Sequence, residues 1–244
     1  MIKDLPHYWI NLSSNSDRAD FMRECFRKSD VVNIRVDATS PKTLPRCLLP
    51  PGHKSGNSLV EYACLASHLK AIKLAYESGV SAALILEDDM SSLTDYQYSA
   101  IADSAPPDWE VLQLFTSNIN TVTLHHTIYS KHKILWQLWD INNWSAGAYL
   151  INRAGMSRIM DRFFDKTPGA GNTLDFRATL KYTKLVSDYM IFRFLNAYTC
   201  TYPLFVNHIL PGFAIHAANI ESRHMPLREK VLSIHNSTSA PFGG

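Results

Sequence analysis

The chain has no run of about 18 apolar residues, so no segment reads as a membrane-spanning helix. Its start, Met1-Ile2-Lys3-Asp4-Leu5-Pro6, has no apolar stretch of the kind a secretory leader needs. Cysteine is sparse. Cys25, Cys47, Cys64 and Cys200 are widely separated and form no Cys-x-x-Cys pair, which excludes the usual structural zinc spacing. Buried thiols in a reducing compartment are expected, and with them a cytoplasmic location that leaves room for peripheral association with a membrane. Charge of one sign is also lacking. The net value is +2 and no basic stripe follows a helix, so no nucleic-acid partner is expected. Glycine is scarce after the first strand, where a nucleotide-binding fingerprint would place it.

What is present suffices for a substantial core. At 244 residues, 46% of them apolar, residues 1–235 read as one domain and the Ser/Gly/Pro-rich stretch 236–244 as a flexible tail. The chain opens strand, helix, strand. His7 to Leu12 is followed by a helix carrying Phe21, Met22, Cys25 and Phe26 at helical spacing, and then by Asn33 to Val36. That is a βαβ signal for a parallel α/β sheet. Asn11, Arg18 and Asp37 then lie where a base and ribose would bind, although Asn11 and Asp37 serve equally well as turn residues. The basic, proline-rich stretch from Thr39 to Asn57 reads as a long loop, either a lid or disordered. Ser58-Leu59-Val60-Glu61 is a capping box opening a helix that Gly79 stops. His68 in that helix reads as packed or solvated rather than catalytic.

The most informative stretch is Ala82-Ala83-Leu84-Ile85-Leu86-Glu87-Asp88-Asp89. A short apolar run reads as a strand buried on both faces. Three acidic groups cannot share that burial, so the strand must surface at Glu87. The carboxyl end of such a strand is where open α/β sheets bind ligands. Clustered carboxylates there suit a hard divalent cation shared with phosphate, Mn²⁺ or Mg²⁺; the competing reading is a solvated acidic turn. Further strands are expected at Glu110–Phe115, Tyr149–Ile151 and Tyr202–Val206, with helices over Ala154–Phe164 and from Ser187. Thr121 to Trp139 is rich in β-formers and reads as a hairpin or irregular excursion, with His125 and His126 on opposite sides of a strand.

These landmarks fall in an order that resembles glycosyltransferase family 25, the group of lipooligosaccharide and procollagen galactosyltransferases. The pieces are Trp9-Ile10-Asn11-Leu12 with Asp17-Arg18, Arg35-Val36-Asp37-Ala38, Glu61 to His68, Ala82 to Asp89, Gly147 to Ile151, and Ser187-Asp188 followed by the Pro203 segment. The chain departs from the family pattern in having Val60 and Ala63 where glycines are usual, and Ser145-Ala146-Gly147 before the tyrosine strand.

The resemblance implies a GT-A type, Rossmann-like α/β fold with a mostly parallel central sheet flanked by helices. It implies an inverting enzyme moving a hexose such as galactose from a nucleotide-sugar, UDP-linked, to a hydroxyl of a glycan or glycoconjugate. Glu87 and Asp89 would form the acidic motif, with Asp89 on Mn²⁺ or Mg²⁺ and Glu87 on the ion or ribose. Asn11, Arg18, Asp37, Ala38 and Asp88 would line the donor. Asp188 would be the general base, with Asp175 its nearest rival. His216 would add a metal or phosphate contact, and Trp144 and Tyr149 would stack on the acceptor sugar. Two other classes compete. A metal-dependent phosphohydrolase or nucleotidyltransferase would use the same carboxylates. A non-catalytic module would keep the fold and bind a glycan or partner only.

Overall fold

A computed structural model describes residues 4–27, 29–44, 58–165, 173–176, 186–209 and 220–242. The opening unit forms as its pattern predicts. β1 (His7–Asn11) leads through α1 (Ser16–Phe26) to β2 (Asn33–Asp37), and the two strands are parallel. α2 (Leu59–Glu77) starts at the capping box, where the Glu61 amide donates to Ser58 Oγ at 3.3 Å and the Ser58 amide to Glu61 Oε2 at 2.6 Å. It gives way at Gly79, whose φ of +77° is one a side-chain-bearing residue resists. β3 (Ala82–Glu87) follows, with Ala82 to Leu86 wholly buried.

The middle of the chain supplies β4 (Met90–Ser92), α3 (Tyr98–Asp103), β5 (Val111–Gln113), α4 (Ile119–His132), β6 (Trp136–Leu138), β7 (Ala148–Asn152) and α5 (Arg153–Phe163). Then come a ribbon of β8 (Phe164–Asp165) and β9 (Thr173–Leu174), α6 (Ser187–Phe192), β10 (Ala197–Cys200) and β11 (Phe205–Asn207). A π turn at Ile220–His224 runs into α7 (Met225–Ser237).

The main sheet has seven strands in the order β2-β1-β3-β7-β5-β10-β6. β2, β1, β3, β5 and β10 share one direction, while β7 and β6 oppose them. Side chains alternate along each strand, so β3 sends Ala83 and Ile85 to one face and Leu84 and Leu86 to the other. The first face packs against α2, α5 and α6 through Leu69, Ile72, Ile159, Phe163 and Ile191. The second packs against α1, α3, α4 and α7 through Met22, Ile101, Val122, Tyr129 and Val231. The result is an α/β/α sandwich, the GT-A-type architecture expected.

Four expectations need correction. Thr121–Trp139 is mainly helix. Asn118 Oδ1 caps it by accepting from the Asn120 amide at 3.1 Å, and Val122, His125 and Tyr129 line its buried side. Burial of that face outweighs the β preference of its threonines and isoleucines. The strand placed at Tyr202–Val206 is shorter and lies outside the main sheet, where β11 pairs antiparallel with β4. The tail is not free over 236–242. Tyr202 Oη donates to the Thr238 carbonyl and Tyr129 Oη to the Ser239 carbonyl, both at 3.3 Å, and Phe242 sits edge-on to Tyr96. Of the thiols, Cys200 is buried, Cys64 is half-buried and Cys25 is exposed; Cys47 lies outside the described residues.

Candidate active site

The carboxyl ends of β1 and β3 lie side by side, with Ile10 opposite Glu87. The amino end of β7 closes the same edge, since the Glu87 amide donates to the Gly147 carbonyl at 2.8 Å. A side chain there would crowd its neighbours. A β-carbon on Gly147 would stand 3.0 Å from Met90 Cε and 3.1 Å from Ser145 Oγ. The acidic run therefore lies where three strands end, but only Glu87 surfaces: Asp88 and Asp89 stay buried, against expectation, because the Arg18 guanidinium pairs with both.

Its three carboxylates have different surroundings. Asp88 is fully engaged: Oδ1 pairs with Arg18 at 2.8 Å and Oδ2 accepts from Asn11 Nδ2 at 2.6 Å. Arg18 also holds Asp89 Oδ2 at 2.8 Å, and Arg35 Nε donates to Asn11 Oδ1 at 2.9 Å. Asn11, Arg18 and Asp88 are thus a buried framework behind the site. Burial, helped by the Glu87 carboxylate and opposed by Arg18, pushes Asp89 up to about 7. Asp89 Oδ1 is buried without a hydrogen-bond partner among the described residues. Glu87 is 36% exposed and meets His68 Nε2 at 3.2 Å.

An orphaned hard oxygen on Asp89, with the Glu87 carboxylate near enough to push its pKa up, is a donor set that a divalent cation fits. When bound, such an ion supplies Lewis-acid stabilisation of charge on a phosphate oxygen. Asp89 through Oδ1 and Glu87 are the residues that would hold it.

Asp188 stands in the first turn of α6, as the pattern implied. Oδ2 accepts from the Ser145 amide at 2.7 Å and Oδ1 from the Tyr189 amide at 2.8 Å. Burial raises its pKa above the ordinary carboxylate value despite those two amides, and the Glu87 charge adds to the rise. Ser145 has a left-handed backbone, φ +105°. It is held there on three sides: its amide on Asp188, its carbonyl accepting from Gln113 Nε2 at 2.8 Å, and its Oγ accepting from the Gly147 amide at 2.9 Å. Backbone strain of this kind persists only when neighbours impose it, and it clusters at functional sites. Through Ser145 and Gly147, Asp188 is fixed relative to the end of β3.

The remaining candidates separate. Asp37 is exposed at the end of β2, 4.0 Å from Arg35, with its carbonyl accepting from Lys70 Nζ at 2.7 Å. The Ala38 amide donates to the Asn11 carbonyl at 2.9 Å, which sets both beside the β1 edge. Trp144 is 48% exposed and free to meet a ligand. Tyr149 is not, because its ring is fully buried on the α2 face and its hydroxyl meets His68 Nδ1 at 3.2 Å. It cannot stack on a sugar and supports the site from below. The Asp175 amide donates to the Phe163 carbonyl beside the β8–β9 ribbon. His216 lies outside the described residues.

Sequence reasoning passed over His68, Cys64 and Ser145. His68 is buried and touches both Glu87 and Tyr149. Burial pushes its imidazolium down, but Cys64 and Glu87 together outweigh that and raise it to about 10. Its i, i+4 spacing from Cys64 on α2 was the available signal.

No curated protein matches the chain. Among solved structures it is similar to A197 of STIV, at 10% identity over 84% of this chain and 86% of that one, TM-score 0.42. It is similar also to a glycosyltransferase involved in glycosylation of the major capsid of PBCV-1 (8%, 64% and 63%, TM-score 0.34) and to the bifunctional glycosyltransferase WbbM (9%, 97% and 45%, TM-score 0.42). At those identities and scores they bear on neither substrate nor mechanism. The model of glycosyltransferase family 25, described as an LPS biosynthesis protein, matches residues 4–168. That span includes β1, the carboxylates of β3 and the Gly147 turn, and on it the chain belongs to glycosyltransferase family 25 and is a glycosyltransferase.

Proposed function

We propose that this glycosyltransferase is an inverting, metal-dependent hexosyltransferase. It moves a sugar such as galactose from a UDP-linked donor to a hydroxyl of a glycan or glycoconjugate. The observation that carries the reading is the pairing of two kinds of carboxylate at one sheet edge. Glu87 and Asp89 offer hard oxygens at the end of β3, and Asp188 is held on the same edge through Ser145 and Gly147. In an inverting displacement the acceptor oxygen attacks the anomeric carbon as the diphosphate departs. Asp188 takes the hydroxyl proton, and its two amide donors keep the carboxylate aimed. Mn²⁺ or Mg²⁺ held by Asp89 and Glu87 would offset the charge on the leaving diphosphate. Arg18, itself held with Asn11 on Asp88, keeps Asp89 in place behind the donor, Asp37 and Ala38 border the nucleoside, and Trp144 presents a ring face to the acceptor.

The test is calorimetric titration with UDP, GDP and CMP, each in Mn²⁺ and again in EDTA. Binding of UDP that needs the metal, and that Asp89→Asn abolishes, is the expected outcome. Failure of all three nucleotides in Mn²⁺ overturns the reading and leaves a sugar-binding module with a vestigial acidic turn.

A further inference from the structure

Cys64, His68 and Glu87 bring one thiol sulfur, one imidazole nitrogen and one carboxylate oxygen within 4.8 Å of each other. The three come from two elements. Cys64 and His68 stand one turn apart on α2, and Glu87 arrives on β3. We propose that this cluster is a second cation site, selective for a thiophilic ion of the zinc class and distinct in chemistry from the oxygen pair that Asp89 completes. It does not rest on the transferase reading, since it could fill whether or not the chain moves a sugar.

The ligand chemistry is specific. Zinc takes sulfur, nitrogen and carboxylate oxygen at about 2.0–2.3 Å, which sets tetrahedral ligands roughly 3.3–3.7 Å apart. Here His68 Nε2 and Glu87 Oε1 are already at 3.2 Å, so a small adjustment of the sulfur closes the set. A thiolate and a carboxylate together balance the charge of a divalent ion. Manganese and magnesium prefer all-oxygen surroundings and gain little from Cys64.

The groups behind the ligands are also in place. His68 Nδ1 meets Tyr149 Oη at 3.2 Å, which fixes the ring and can leave Nε2 as the unprotonated, metal-facing nitrogen. Ser187 Oγ donates to Cys64 Sγ at 3.2 Å, the kind of hydrogen bond that steadies a thiolate. His68 is buried while Glu87 is partly open, so an ion would enter past the carboxylate and keep one position for solvent. In binding, the Cys64 thiol and the His68 imidazolium each release a proton to solvent as the metal bonds replace them.

The experiment uses the full chain, stripped with chelator and titrated with Co²⁺ under reducing, anaerobic conditions. Expected is a saturable thiolate-to-cobalt absorption at one equivalent, displaced stoichiometrically by Zn²⁺ but not by Mg²⁺ in large excess. Cys64→Ser should abolish the band and Cys25→Ser should keep it. Tyr149→Phe should weaken cobalt binding by about tenfold or more. No thiolate band in the wild-type chain overturns the proposal, as does a band that survives in Cys64→Ser or yields to Mg²⁺. The wild-type titration decides even if a variant misfolds. Glu87 is common to this site and to the pair with Asp89, so the two are separated by Cys64→Ser and Asp89→Asn: the first should remove the cobalt band and keep metal-dependent UDP binding, the second the reverse.

Discussion

At the scale of single residues, the site separates into groups that a reader of the sequence can find and groups that only folding brings in. Glu87 is legible because an apolar run that ends in three acids must bring at least one of them to solvent, while Asp89 is found beside it but stays buried on Arg18. The Arg18 clamp on Asp88 and Asp89 is not, because about 70 residues separate the partners and nothing local marks the pairing. Asp188 is the residue on which turnover should depend. Asp188→Asn should lower kcat by about 10²–10⁴ and leave UDP affinity in Mn²⁺ within a few-fold. Because burial holds its pKa above the ordinary carboxylate value, wild-type kcat should rise with pH through an inflection above the usual Asp range, and Asp188→Asn should lose that limb. His7 offers a test of stability rather than of rate. Its ring is buried between Phe26 and Tyr98 with neither nitrogen hydrogen-bonded among the described residues, and burial lowers its pKa from 6.5 to about 4. The unfolded chain therefore takes up a proton that the folded chain refuses. Stability is full above about 6.5 and falls as pH drops toward 4, by up to about 3 kcal/mol from this group. Urea unfolding of wild type and His7→Phe at pH 7 and pH 4.5 should show a smaller loss in the variant.

At the scale of elements, boundaries were readable where local chemistry sets them and obscure where packing does. The capping box and Gly79 fix α2 within the sequence itself. α4 was obscured by Thr121, Thr123, Thr127 and Ile128, residues that favour strands; its buried stripe of Val122, His125 and Tyr129 gains its meaning only against the second core. α5 shows the reverse dependence, a helix position where intrinsic preference misleads. Gly155→Ala would ordinarily strengthen a helix by up to about 1 kcal/mol. Here a β-carbon would stand 2.5 Å from the Glu110 carbonyl oxygen, which belongs to the backbone at the start of β5 and cannot swing aside. The substitution should cost about 1–3 kcal/mol, read as a lower denaturation midpoint with an unchanged slope. Gly79→Ala should also destabilise, but through its positive φ alone, since nothing lies within 4 Å of the added β-carbon, so the two substitutions sample backbone strain and crowding separately.

At the scale of the whole molecule, the α/β class was legible from the βαβ opening, but the strand order was not, since no local signal says that β7 enters between β3 and β5. The end of the chain has the composition of a free tail, yet Thr238 and Ser239 bond to His126 and Tyr129 of α4 and to Tyr202, and Phe242 meets Tyr96. Removing residues 238–244 should lower unfolding free energy on the order of 2 kcal/mol by denaturant titration, from lost hydrogen bonds to Tyr129, Tyr202 and His126 and the lost ring pair with Tyr96. The placement of β7 has one more consequence, for how the protein is made. Synthesis delivers β2, β1 and β3 early, and the apolar edge of β3 then waits for Ala148–Asn152 before it gains its second neighbour. A nascent chain halted in that interval displays Ala82 to Leu86 as an uncovered, charge-free strand, the kind of edge on which other chains assemble. The strand that carries the carboxylates to the sheet edge is thus also the one that a ribosome-bound chaperone would most need to shield.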